Sequence, residues 1–445
     1  MLRHVRGQAG QDVILLRRLA GEIRRLVTKG GKARPGQAGS RGGAKHHWFI
    51  TGLGVGQIVS WGSFYYSFPL IAEPMGRELG LSKPDIYLGA TAGLALAGLV
   101  AYPVGAAIDK GKGRVVMAFG SAAGGLLLLG WSRVSDLAAF YLLLAGLGIV
   151  QAMTLYEPAF AVVARRFGAE ARKGITALTL WGGFASTVFV PLIQWLLDGY
   201  GWRGALVALG VINLGFCVAL YSLTINPKAD SAAMLRPEGA NVGKALEGRS
   251  AVKWAMGRPV FWALLVANAL FMLTHSGLIF HLYPMLLERG YDTTTVVAAI
   301  AIFGPSQVAG RVVIWLFAAK KSIRAIGMVT TLLFPLGLVL LYADSLGFWA
   351  PALFAVIYGA ANGIFTIVRG LAAPEMLTRE AYGAINGALA APATVMRAVA
   401  PLGAAVLWSA GGSYELVLMV AIAGALLTAV AFWVAAASAK ITAMD

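Results

Sequence analysis

Some ionisable side chains stand inside runs that are otherwise apolar: Glu157, His275, His281, Arg311, Arg369 and Arg397. In a bilayer a charge at mid-depth costs about 2.5–3.5 kcal/mol on insertion scales, so such residues need a partner or a task. Arg311 sits in FGPSQVAGRVVIWLFAA, about nine residues or ~13 Å before Lys320, too deep to snorkel with ease. Gly304, Gln307 and Arg311 share one helical face, and Asn386, Thr394 and Arg397 mark another. A guanidinium offers a planar fork that suits a carboxylate or similar oxyanion. The alternative is that each arginine ties down backbone carbonyls or a buried acid. Glu157 is the acid set deepest in an apolar run, followed by Pro158, which loosens the local hydrogen-bond ladder. It can hold a proton or an arginine, or form a static salt bridge that closes one state. His275 could couple protons, whereas His281 reads as hydrogen-bonded packing. Trp61, Phe64, Tyr65 and Phe68 recur at helical spacing; Tyr65 is the one expected at a cavity.

The elements that must position these groups are membrane helices. The 445 residues are 58% hydrophobic and 13% charged, with mean hydropathy +0.72. Twelve apolar segments of about 18–28 residues can each cross ~30 Å of hydrocarbon. They span roughly 47–73, 84–107, 115–132, 137–164, 174–197, 203–223, 259–287, 293–319, 323–343, 348–371, 382–409 and 414–437. None alternates, which argues against a membrane β-barrel and for an all-α integral membrane protein. The single cysteine, Cys217, excludes an intrachain disulfide.

The net charge of +17 is distributed as a membrane protein would distribute it. With the N-terminus inside, 29 of 37 Lys and Arg fall on the inner side and 5 on the outer. That is the positive-inside bias, so both termini are expected in the cytoplasm and the surplus faces anionic lipid rather than nucleic acid. Residues 1–46 form a basic tail, largely disordered, whose Val13–Val27 can make an amphipathic helix on the membrane surface. A dispensable tail, or an over-extended gene start, is the preferred reading. The polar linker 224–258 divides the segments six and six, as 47–223 and 259–437, and 438–445 is a short tail. AGLVAYPVGAA (97–107) aligns with AGRVVIWLFAA (309–319), ELG (78–80) with ERG (288–290), and VPL (190–192) with APL (400–402), at nearly one offset. A duplicated six-helix unit follows, which is a transporter signature. The offset pairs Leu99 with Arg311 and Glu157 with Arg369.

GAAIDKGKGRVVMAFGS (105–121) resembles the motif between helices 2 and 3 of the major facilitator superfamily, with Gly105, Asp109, Lys110 and Arg114 matching. Lys112 stands where that motif has glycine, and Gly113 where it has a basic residue. The stretches 61–82, 156–187 and 201–206 look like bacterial relatives of the monocarboxylate and oxalate–formate porters. The resemblance implies two pseudo-symmetric six-helix bundles around a central cavity, bordered by helices 8 and 11. With the polar faces read above, substrate contacts are expected from Arg311, Arg397, Gln307, Tyr65 and Asn386, and proton coupling or gating from Glu157, Arg369 and His275; the related porters place cations on the same two helices, 8 and 11. Gly105 would admit a close helix approach, and Asp109 would latch the cytoplasmic side against helix 11. The acid before Trp61-Gly62 and the one four residues before Arg311 (here Gln307) are missing, so that family acid–arginine pair does not carry over.

The expected function is secondary active transport of a small organic anion, proton-coupled, by a monomer in the bacterial inner membrane. The alternative is an efflux pump of the same fold for drugs, metalloid compounds or metabolites. No D-x-D, H-x-x-E or H-E-x-x-H pattern occurs, so an enzyme is not expected, nor a metal or cofactor.

Overall fold

In the computed structural model the described residues are 41–167, 171–227, 248–318, 321–343, 347, 349–378 and 382–439. The amphipathic stretch 13–27, most of the linker 224–258 and residues 440–445 lie outside them. The chain divides into a compact unit Trp48–Asp445 and a separate one, Met1–His47. Every regular element among the described residues is helical. Among the described residues nine stretches are long and apolar enough to cross a membrane. Two of these, Lys83–Trp131 and Lys173–Thr224, are each a pair of spans joined at a glycine of positive φ, Gly111 (81°) and Gly201 (66°). With the helix that starts at Arg41, the spans are twelve.

They are α1 (Arg41–Trp61, a π-helical turn Gly62–Tyr66, then Ser67–Leu79), α2 (Lys83–Ala107), α3 (Gly113–Trp131) and α4 (Leu137–Thr154 and Tyr156–Phe167). Next come α5 (Ala171–Gly182, resuming at Ala185 and ending at Gly201) and α6 from there to Thr224. A short helix Gly248–Met256 precedes the second six: α7 (Pro259–Glu288), α8 (Thr293–Phe317), α9 (Ile323–Tyr342), α10 (Trp349–Met376), α11 (Tyr382–Gly411) and α12 (Tyr414–Ser438). Starts are capped as the sequence allows: Ser82, Asp136, Asp292, Ser322 and Ser413 each accept a backbone N–H from the first turn of α2, α4, α8, α9 and α12. Two bonds from Thr295, backbone N–H (2.7 Å) and hydroxyl (2.9 Å), hold the Asp292 carboxyl below its ordinary value. That cap is complete at neutral pH and is lost only as pH falls through the depressed value.

Several boundaries depart from hydropathy alone, and three of them have partners that explain them. α1 continues to Leu79, beyond 73, because its charged end finds partners: Glu73 pairs with Lys83 (2.6 Å) and Glu78 with Arg203 (2.8 Å). α10 runs to Met376 rather than 371. Its Glu375 accepts the first backbone N–H groups of α9, from Ile323 (3.0 Å) and Arg324 (3.3 Å). α4 is interrupted at Leu155. Pro158 has no N–H to give the Thr154 carbonyl, and Gln57 Nε2 supplies that bond instead at 2.8 Å. Gln57→Leu leaves this buried carbonyl without its donor. We expect a loss of ~1–3 kcal/mol, read as a lowered melting temperature of the detergent-solubilised protein, with Gln57→Glu no better.

Glycine sets the close approaches. A Cβ on Gly148 of α4 would overlap the Gly93 carbonyl of α2, and one on Gly363 of α10 would overlap the Gln307 carbonyl of α8. The same helix pair, second with fourth, thus packs backbone to backbone in each half, the structural counterpart of the sequence duplication. Between the halves, α5 meets α8 in the same way: a Cβ on Gly304 would strike the Gly183 carbonyl, and Thr187 Oγ1 donates to the Ala301 carbonyl at 2.8 Å. Gly105, expected at a close approach, instead has open space around it; on α2 that role falls to Gly93. Leu99, the repeat counterpart of Arg311, is 74% exposed, so the equivalent face of α2 points away from the protein. Cys217 is fully buried and acts as core filler.

Candidate functional site

Two of the cavities between the halves carry charged side chains. The larger, about 230 Å³, is walled by α1, α4 and α5 on one side and by α7, α8, α10 and α11 on the other. Tyr65, Glu157, His275, Gln307, Arg311, Arg369 and Arg397 all line it. The smaller, about 190 Å³, lies between α2, α4 and α11, and Glu157 and Arg397 line both. The structure therefore gathers nearly every intramembrane polar residue singled out in the sequence.

Local backbone explains how each arrives. The π-helical turn Gly62–Tyr66 rotates α1 so that Trp61, Tyr65 and Tyr66 all face the cavity, while Phe64 and Phe68 are buried in packing. Gly62 fits there because the Phe189 ring lies where its Cβ would be. The break at Leu155 lets the second part of α4 present Tyr156 and Glu157 to the cavity.

The three arginines differ in what holds them. Arg311 donates from Nε to the Gly363 carbonyl (3.2 Å), from Nη1 to the Thr179 carbonyl (3.2 Å) and from Nη2 to Thr366 Oγ1 (3.4 Å). All three acceptors are neutral, and Thr179 belongs to α5, so this side chain ties the halves together as well as facing the cavity. Arg369 has a buried Nε without a hydrogen-bond partner; its guanidinium lies 5.8 Å from the Phe271 ring centre and 3.9 Å from Met272 Sδ. Arg397 makes no side-chain hydrogen bond among the described residues, and its guanidinium stands 6.0 Å from the Tyr65 ring centre. No carboxylate pairs with any of the three among the described residues. Glu157, exposed to both cavities, is likewise without an ion-pair partner there. Three cations against one acid leave the cavity with an uncompensated positive field, strengthened by its low-dielectric walls.

His275 stacks on Phe271 (ring centres 5.3 Å apart) with a buried, unpartnered Nδ1 at the cavity wall. His281 is packing, as expected: it bonds to Tyr414 Oη (2.9 Å) and the Pro401 carbonyl (2.9 Å) and stacks on Tyr87 at 3.7 Å. Asn386 lies on the Arg397 face of α11 but about 16 Å further along the helix, and it lines neither cavity. Sequence reading passed over Asn362 and Thr366, which line the cavity beside Arg369 at one-turn spacing on α10. The signal was their i, i+4, i+7 register with Arg369. Neutral polar residues in a Gly- and Ala-rich run otherwise look like packing.

The Asp109 carboxylate is exposed, and its backbone carbonyl accepts an N–H from Arg165. Lys110 and Arg114 are also exposed, and Gly111 supplies the left-handed turn of this loop in place of the motif glycine at 112. Toward the opposite end, carrying Lys83, the halves are stitched together. Lys83 Nζ lies over the Trp408 ring (4.2 Å) and 3.4 Å from Tyr414 Oη. Tyr87 Oη donates to the Phe280 carbonyl (3.2 Å), and Tyr283 Oη to Gln194 Oε1 (2.7 Å).

Residues 53–401 match the sequence profile of the Major Facilitator Superfamily. The chain belongs to this superfamily. Superfamily transporters also match in fold: a bacterial homologue of the human lysosomal transporter Spinster aligns at TM-score 0.67 and 15% identity, over 90% of this chain and 98% of that one. The nucleoside transporter NupG aligns at 0.65 and 16%, over 87% and 98%. Within the superfamily the chain is similar to human Monocarboxylate transporter 11, 29% identical over 72% of this chain and 68% of the relative. It is also similar to rat Monocarboxylate transporter 13, 27% identical over 74% and 73%. It is accordingly a multi-pass membrane transporter of a small molecule, and not an enzyme.

Proposed function

We propose that this superfamily member moves a small organic anion, monocarboxylate-like, by proton-coupled alternating access of its two six-helix halves. The observation that carries the reading is the set of three guanidiniums around one cavity between the halves, with no carboxylate partner among the described residues. Similarity to proteins named monocarboxylate transporters supports it. Arg397, with no competing hydrogen bond, takes the substrate carboxylate, and Arg311 lends charge from across the cavity. Gln307, Asn362 and Tyr65 orient the remainder. Glu157 holds the coupled proton: protonated, it leaves the cations free for the anion; ionised, it competes for them. The Lys83 end is the closed gate in this conformation. The lysine and arginine distribution makes that end extracellular and the Asp109 loop cytoplasmic, so the exposed Asp109 carboxylate corresponds to an unlatched inner side. A monomer with both termini in the cytoplasm, in a bacterial plasma membrane, fits this arrangement.

The test is uptake and counterflow of a carboxylate panel in proteoliposomes with an imposed pH gradient. Transport of uncharged or cationic solutes, with no carboxylate recognised, would overturn the reading. Glu157→Gln is expected to abolish gradient-driven accumulation while leaving exchange at near wild-type rate. Accumulation that keeps its pH dependence in this variant places the proton site elsewhere.

A further inference from the structure

The smaller cavity adds something the arginine cluster does not explain. Past its two shared residues, Glu157 and Arg397, its wall is made of Leu94, Ala97, Gly98 and Ala101 on α2 with Ala152 and Leu155 on α4. Its further polar side chains are Thr394 and Gln151. Thr394 already gives its hydroxyl proton to the Ala390 carbonyl at 3.1 Å, and Gln151 Nε2 is used on the Phe64 carbonyl at 2.9 Å. Gln151 Oε1 is buried with no hydrogen-bond partner. A buried unpaired acceptor is costly in an apolar wall, and its cost falls when a bound molecule brings a donor. The narrowing comes from small residues: a Cβ on Gly98 would already stand 3.1 Å from Thr394 Cγ2.

We propose that this cavity is a tail subsite of the transport site, and that the substrate is an elongated carboxylate with a hydrogen-bond donor near its far end. The inference rests on the carboxylate reading above. The carboxylate stays on Arg397 at the junction of the two cavities. The hydrocarbon segment runs along Ala97, Ala101 and Ala152, and a distal hydroxyl or N–H donates to Gln151 Oε1. The selectivity is geometric, since each methylene placed against this wall adds apolar burial that a two- or three-carbon acid cannot obtain.

Thermal stabilisation of the purified full-length protein reads this directly, with sodium salts of straight-chain carboxylates from two to eight carbons and their terminal hydroxy analogues as probes. In wild type, the half-maximal concentration is expected to fall about tenfold between three and six carbons, and further for the hydroxy analogues. Ala97→Leu fills the lobe and is expected to remove the chain-length gain while acetate and propionate stabilise as before. Ala101→Leu, on an exposed position of the same face, carries the same expectation and serves if the first variant does not fold. Gln151→Leu is expected to erase the preference for the hydroxy analogues alone. Chain-length preference unchanged in both leucine variants, or absent from wild type that still binds short carboxylates, overturns the subsite. Failure of every carboxylate to stabilise wild type overturns the underlying reading instead.

Discussion

Arg397→Gln is expected to raise the carboxylate concentration for half-maximal counterflow about 100-fold or more, with little change in melting temperature. The side chain makes no hydrogen bond among the described residues, so its removal strands no carbonyl or carboxylate there. What is lost is a charge-assisted, potentially bidentate pair with the substrate in a low-dielectric cavity. Each such bond is worth about 1.5–3 kcal/mol, and about 2.7 kcal/mol corresponds to a factor of 100. Arg397→Lys restores charge without the planar fork and should recover only part of the affinity. Arg311 is the instructive contrast. Its three neutral partners span α5, α8 and α10, so Arg311→Gln should lower the melting temperature as well as affinity. Equal, small effects of both arginines on counterflow would dismiss the anion site.

The second large effect is on folding. Gly148→Val is expected to cost at least ~3 kcal/mol and to remove most folded protein from detergent extracts. The α2 backbone occupies the space its Cβ would take. The neighbouring atoms there are main chain, which cannot change rotamer, so the helices must part along their length. Gly105→Ala, placed in open space, should be neutral or slightly stabilising, since alanine exceeds glycine in helix propensity by about 1 kcal/mol. A Gly148→Val protein melting with the wild type would show that α2 and α4 are not packed as described.

The twelve spans were legible because a bilayer forces each crossing to be an apolar helix of fixed minimum length, and charge placement orders their loops. Glu157, Arg311, Arg369 and Arg397 were legible for the same reason: hydrocarbon makes a charge conspicuous. What sequence could not give was the role of each charge. Arg311 and Arg397 look alike in sequence, yet one is bonded to neutral acceptors on α5 and α10 and the other is not, a difference set by which neighbouring helices come within reach. The breaks that bring Glu157 and Tyr65 to the cavity, at Leu155 and in the π-turn of α1, depend on Pro158 and on Gln57 and Gly62 meeting partners on other helices. Asn386 shows the limit of face arguments, since sharing a face of α11 with Arg397 did not bring it to the same depth. Asn362 and Thr366 escaped because no charge marked them.

The contact of α5 with α8 is main chain against main chain where Gly304 meets Gly183, with the Thr187 hydroxyl bonded to the Ala301 carbonyl beside it. In the rocking cycle proposed here, such a seam behaves as a bearing. The two halves can pivot about it with few side chains to rearrange, the Thr187 and Arg311 bonds among them, while the stitched Lys83 end and the Asp109 loop swing through the larger arcs. A methyl group at position 304 would then act as grit in the joint: it meets the Gly183 carbonyl, so turnover slows in both directions and the resting state itself is destabilised.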